Sequence, residues 1–259
     1  MNKDLTRQIL IVVAVVATIV VNGLANALPI NGLQTGAISD SFPVYFTPAG
    51  YVFAIWGVIY LGLLAYAVYQ ALPAQRQNPR LRSIRTLFLI GSLANIAWIL
   101  LWHYLLFPLT LVAMLVLLGT LIGIYLRLRI GRTSPPLVER LTVDLPFSIY
   151  LGWITVATIA NVTALLSYWN WTGFGVSQEA WLVITLGVAL VVATLVALTR
   201  RDMAYLLVLA WAFAGIGVKH MAVTPVAPAA WVATGYVLAL VVVSLLGGRR
   251  SQPTPVSAT

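Results

Sequence analysis

Apolar runs of about 20 residues, broken by short polar stretches, dominate this chain. A helix of that length and character spans the hydrocarbon core of a bilayer. Eight runs are legible, at about 9–28, 52–72, 86–105, 107–126, 145–167, 181–199, 203–221 and 229–247. The polar stretches alternate in charge. Lys3 and Arg7 precede the first run, and Arg76, Arg80, Arg82 and Arg85 separate the second from the third. Arg127, Arg129, Arg132 and Arg140 separate the fourth from the fifth, Arg200 and Arg201 the sixth from the seventh, and Arg249 and Arg250 follow the eighth. With eight spans, 14 of the 15 basic residues fall on one side, Lys219 being the exception. The positive-inside rule makes that side cytoplasmic and puts both termini there. The pattern predicts an all-α integral membrane protein, multi-pass and in contact with lipid; a bacterial inner membrane is the expected location, which the pattern itself does not specify.

Within the runs, aromatic and amide positions fall into stripes. Phe53, Trp56 and Tyr60 are spaced i, i+3, i+7, as are Asn95, Trp98 and Trp102. Tyr150, Trp153 and Asn161 are spaced i, i+3, i+11. Each set shares one face of a helix. Three such faces in apolar sequence predict a pocket inside the bundle, where aromatic walls stack on a flat apolar ligand and amides bond its edge. The candidate ligand-binding residues are Trp56, Tyr60, Asn95, Trp98, Tyr150, Trp153 and Asn161. Two other readings stay open: the aromatics as close core packing, and the amides as bonds between helices.

Composition narrows the function classes. Hydrophobic residues make up 61% of the chain and charged residues 8%, against about 25% charged in a soluble domain. There is no Cys, so no disulfide, thiol nucleophile or thiolate metal site. The net charge of +9 is an orientation signal, given where the basic residues fall, and not a nucleic-acid footprint. No carboxylate lies deep in a run, and neither a Ser–His–Asp order nor H-E-x-x-H occurs, so no metal site is expected, no catalytic residue is nominated and conventional catalysis is not expected. His103 and His220 are predicted near the outer helix ends, as interface histidines or as axial ligands to a haem iron. Lys219 either snorkels to the interface or attracts an anionic group.

The connections carry further expectations. The first run, with Lys3, Arg7 and Ala25-Asn26-Ala27, has features of a signal peptide, but its length and the pair Asn22 and Asn26 favour a retained helix. Residues 29–51 form a long outer loop punctuated by Pro29, Gly32, Gly36, Pro43, Pro48 and Gly50, read as a lid over the bundle or as an interfacial loop. Gly119 and Gly123 form a GxxxG, which permits internal packing or a homodimer. Asp144 suits the start of the fifth helix and can pair with Arg140. Tyr168, Trp169, Trp171 and Trp181 read as an interfacial aromatic belt. Residues 249–259 form a short polar tail.

The first five runs resemble the tryptophan-rich sensory protein family, also called the translocator or peripheral benzodiazepine receptor family. Phe46-Thr47-Pro48-Ala49-Gly50-Tyr51-Val52-Phe53 followed by Trp56-Gly57-Val58-Ile59-Tyr60 is similar to that family's W-x-P-P-x-W-V-F and W-x-x-L-Y. Asn95-Ile96-Ala97-Trp98 is similar to its N-x-x-W, and the run from Tyr150 to Asn161 to its Y-L-x-W-x-T-x-x-T-x-x-N. The resemblance covers about residues 9–168. Ala49 replaces the second proline, Phe46 and Tyr51 replace two tryptophans, and the step from Phe53 to Trp56 is one residue short. No basic residue follows Asn161 through Glu179, so the family's weak sterol-type motif is absent. The resemblance implies a five-helix membrane domain over 1–168 with three additional helices over 169–248. It also implies a sensor or regulator whose pocket takes a tetrapyrrole, with porphyrin or haem as a bound ligand and no cofactor required. Two alternatives remain. A small-molecule transporter would show repeated halves and midplane charges, and neither is seen here. A tetrapyrrole-modifying enzyme would form product under light and oxygen.

Overall fold

The computed structural model describes residues 3–28 and 30–248; the predicted tail over 249–259 lies outside them. Eight long helices carry the described chain: α1 (Lys3–Ala27), α2 (Ile55–Ala71), α3 (Pro79–His103), α4 (Phe107–Arg127), α5 (Leu145–Tyr168), α6 (Gln178–Arg200), α7 (Met203–Lys219) and α8 (Val226–Gly248). Seven of the eight runs form helices long and apolar enough to cross a membrane. The eighth, α7, has 17 residues, a length of about 25 Å at 1.5 Å per residue. The protein is an all-α membrane protein.

Hydropathy marks the spans well and the ends less well. Helix α3 begins seven residues before its apolar run, at Pro79. Its start is set by local chemistry: the Asn78 side chain accepts from the Arg80 N–H at 3.0 Å, and Pro79 takes the first helical position, where its missing N–H costs nothing. At the front of α2, Gly50–Ala54 forms a 3-10 turn before the α-helix begins at Ile55. A π turn at Arg140–Asp144 leads into α5.

The first five helices close into a ring. Helix α1 packs on α3, α3 on α4, α4 on α5, α5 on α2, and α2 back on α1. Helix α7 docks on the outside of α5, α8 packs on α7, and α6 packs on α8. The α5–α7 seam is close: a Cβ on Gly152 would lie 3.1 Å from both the Tyr205 carbonyl oxygen and Val208 Cβ. Gly123 of the GxxxG faces Leu87 of α3, while Gly119 has open space beside it.

Buried polar groups fix the Arg-rich end. The Asp202 carboxylate caps α7 by accepting from Tyr205 N–H at 3.2 Å, and it also accepts from Tyr125 Oη at 2.9 Å and Ser148 Oγ at 2.6 Å. One side chain therefore ties α4, α5 and α7 together. Asp144 pairs with Arg80 at 2.9 Å rather than with its neighbour Arg140, and Arg80 also pairs with Glu139. Arg85, 1% exposed, bonds Asp4 of α1 and the Arg76 carbonyl, each at 2.9 Å. These ionic groups find partners because an unpaired charge at that depth is costly.

Candidate functional site

At the far end from the arginines, the ring holds a cavity. Helix α3 supplies Trp98 and Trp102; the α2 turn and first helical residues supply Phe53 and Trp56. Helix α5 supplies Trp153 and Asn161 with Val156, Ala157, Ala160 and Ala164. The small alanines recur at i, i+3, i+7, so one stripe of α5 leaves room while its neighbours fill space. Thr35, Ser39, Thr47 and Pro48 of the connection between α1 and α2 close the far side. That connection forms a roof over the cavity. It includes a short helix, Thr35–Asp40.

The walls are mostly aromatic faces and edges. Trp98 and Trp102 stack with centroids 5.6 Å apart, 22° from parallel. Trp153 meets Phe53 at 5.7 Å and Trp56 at 6.3 Å, both edge to face. The free interior is about 50 Å³, far below the roughly 300 Å³ or more of pockets that hold drug-sized ligands. A ligand of that size enters only as the walls and roof part.

Three polar atoms of these walls are buried without a partner: Trp98 Nε1, Trp153 Nε1 and Asn161 Oδ1. Two are donors and one an acceptor. The second half of the Asn161 amide is engaged, Nδ2 donating to Thr110 Oγ1 of α4 at 3.0 Å. Asn161 thus joins two helices through its nitrogen and keeps its oxygen free.

Of the seven residues nominated from sequence, Trp56, Trp98, Trp153 and Asn161 line the cavity. Tyr60, Asn95 and Tyr150 sit one layer deeper and do not line it. Tyr60 stacks on Trp56 at 5.6 Å, and Tyr150 meets Trp56 edge-on at 6.1 Å. Asn95 spends both ends of its amide on neighbours: Oδ1 accepts from Asn22 Nδ2 at 2.7 Å, and Nδ2 donates to Tyr150 Oη at 2.8 Å. It binds α1, α3 and α5 together. Sequence reasoning did not nominate Trp102, although it completes the Asn95–Trp98 stripe, nor the α5 alanines or the roof residues. The alanine spacing was readable; the roof follows no periodicity.

The two histidines lie outside the lining. His103 is fully buried at the end of α3, with Nε2 2.9 Å from Thr35 Oγ1 and Nδ1 3.2 Å from the Ile30 carbonyl oxygen. It anchors the roof. His220 follows α7 and presents its ring to Tyr45 at 5.2 Å. Burial and the Lys219 ammonium hold its imidazole below the ordinary histidine range, partly offset by the backbone carbonyls of Thr47 and Tyr45. Lys219 itself pairs with Asp40 of the roof at 2.5 Å.

A ring of apolar helices around an indole-walled cavity fits a membrane ligand-binding protein. A model of the TSPO-like protein family matches residues 8–244, and the chain belongs to that family. The match runs through all eight helices rather than ending with α5. No curated protein and no solved structure gives a significant match.

Proposed function

We propose that the protein is a membrane-embedded sensor or regulator that binds a flat, largely apolar molecule, a tetrapyrrole or a ligand of similar shape, without conventional catalysis. The observation that carries this reading is the set of unpartnered polar atoms, Trp98 Nε1, Trp153 Nε1 and Asn161 Oδ1, in a cavity walled mostly by aromatic rings and alanine, with Thr35, Ser39 and Thr47 on its roof side. A buried donor or acceptor without a partner costs about 1–3 kcal/mol. A ligand that offers an acceptor to the indoles and a donor to the amide recovers it.

The walls suit the faces of a tetrapyrrole, with Asn161 Oδ1 placed to accept from a ligand N–H and the indole N–H groups of Trp98 and Trp153 placed to donate to a ligand nitrogen or oxygen. They offer its acidic groups no countercharge, because no Lys, Arg or His lines the cavity. They do not suit axial ligation of haem iron either, since neither His103 nor His220 lines the cavity and both ring nitrogens of His103 are engaged with the roof. The acidic groups of a porphyrin therefore sit at the mouth, in water.

The test is a titration of detergent-purified protein with protoporphyrin IX and with its dimethyl ester, followed by tryptophan quenching. The reading expects saturable binding in the low-micromolar range, about −8 kcal/mol, with the ester at least as tight as the acid. No saturation with either, or binding of the acid alone, contradicts it. Flux in proteoliposomes separates the alternative: a binding protein gives none, a transporter gives sustained substrate-dependent movement.

A further inference from the structure

The roof, residues 30–54, has two supports on opposite sides. One is the bundle itself. His103 and Trp102 bond Thr35, and Phe42 lies edge-on against Phe107 at 4.9 Å. The other belongs to the additional helices. Lys219 pairs with Asp40 at 2.5 Å, and Tyr45 Oη donates to Glu179 Oε1 of α6 at 3.0 Å while its ring meets His220. The Ala49 N–H donates to the Gly215 carbonyl at 3.1 Å, and Trp211 Nε1 donates to the Val52 carbonyl at 3.1 Å.

Gly215 marks the tightest point of this contact. A Cβ there would lie 2.2 Å from Val52 Cγ2 and 3.2 Å from Pro48 Cβ. Only a residue without a side chain lets the roof settle so close to α7, and Pro48 is itself a wall of the cavity. The other end of α7 is held by Asp202 to Tyr125 and Ser148. The helix is thus a post fixed to the bundle at one end and gripping the roof at the other. The grip consists of a surface ion pair, single hydrogen bonds and ring edges, contacts that break and re-form readily.

We propose that helices α6–α8 act as a clamp: α7, with Glu179 of α6, holds the roof closed over the cavity, and release of this grip sets the rate at which ligand enters and leaves. The second half of this statement rests on the binding reading above; the first does not.

The experiment uses the full-length protein in detergent and has two readouts, amide hydrogen exchange over 30–54 without ligand and the dissociation rate of protoporphyrin IX. Lys219→Asp places two carboxylates together, and Gly215→Val wedges the roof from α7. Each is expected to speed roof exchange and dissociation by about fivefold or more, as loss of roughly 1 kcal/mol of surface contact implies. Asp40→Lys added to Lys219→Asp restores both. Exchange in α3 and α4 stays at the wild-type level in all variants. Unchanged roof exchange in both single variants overturns the clamp, as does a Lys219→Asp effect that the charge swap leaves in place. Faster roof exchange with unchanged dissociation overturns the control of ligand exchange. If wild-type protein does not bind protoporphyrin IX, the binding reading fails, and roof exchange alone decides whether α6–α8 hold the roof.

Discussion

Replacing Asn161 by Leu separates a ligand contact from a helix contact, because the two roles predict opposite signs. The side chain makes one bond, Nδ2 to Thr110 Oγ1 at 3.0 Å, and leaves Oδ1 buried without a partner. A side-chain hydrogen bond between membrane helices is worth about 0.6 kcal/mol on average. A buried acceptor without a partner costs about 1–3 kcal/mol. Leucine has a similar size and loses both terms. Thr110 Oγ1 keeps its bond to the Phe107 carbonyl at 2.7 Å, so no new orphan appears. The ligand-free variant should be as stable as wild type or more stable by about 1 kcal/mol. Its ligand affinity should fall about tenfold, the equivalent of 1.4 kcal/mol. Asn95→Leu is the contrast. There both ends of the amide are bonded, and removal strands Tyr150 Oη, so stability should fall by about 1–3 kcal/mol. Thermal unfolding in detergent and protoporphyrin IX titration measure the two quantities on each variant. Asn161→Leu that loses more than about 1 kcal/mol of stability and binds like wild type would refute the reasoning.

Three further outcomes follow from the same geometry. Asp202→Ala strips the cap of α7 and strands the hydroxyls of Tyr125 and Ser148, so stability should fall by about 3 kcal/mol or more, read as a lower unfolding temperature, with ligand affinity falling as a secondary effect. Gly152→Leu forces α5 from α7 at the Tyr205 carbonyl and should raise protease sensitivity over α6–α8 more than over α1–α4. The pH dependence of the roof has a definite sign. His220 faces Lys219 and Tyr45, with Asp40 and Glu179 as the nearby roof partners, and its pKa lies below the ordinary value near 6.5. The closed roof therefore prefers neutral imidazole. Its stability is fully present above about pH 6.5 and declines as pH falls toward the depressed value, so the protection factors of the roof amides, exchange rates corrected for the intrinsic base-catalysed rate at each pH, should fall between pH 7.5 and 5.5, less so in Lys219→Met.

Much of this protein is readable from its hydropathy, because lipid demands long apolar helices and leaves few alternatives. The closed order of the ring is not, since no periodicity says which helix neighbours which. Asn95 and Asn161 look alike in sequence, each on an aromatic stripe. What separates them is a partner on another helix: Asn22 and Tyr150 take up the first amide, while Thr110 takes only half of the second. Asp144 has a basic neighbour in Arg140, yet the fold brings Arg80 to it from 64 residues away. The early start of α3 was legible in Asn78-Pro79, a cap and first-turn pair that hydropathy alone overlooks. The grip on the roof was not, because Lys219 and Asp40 lie 179 residues apart.

The central claim is that the indoles of Trp98 and Trp153 donate to a ligand in the cavity. The indole N–H spectrum of protein labelled with nitrogen-15 at its nine tryptophans tests it most directly. Trp98→Phe and Trp153→Phe identify the two resonances. On saturation with protoporphyrin IX or its ester, both should move to the position of hydrogen-bonded indoles. Both remaining at their ligand-free positions under saturating ligand would contradict the account.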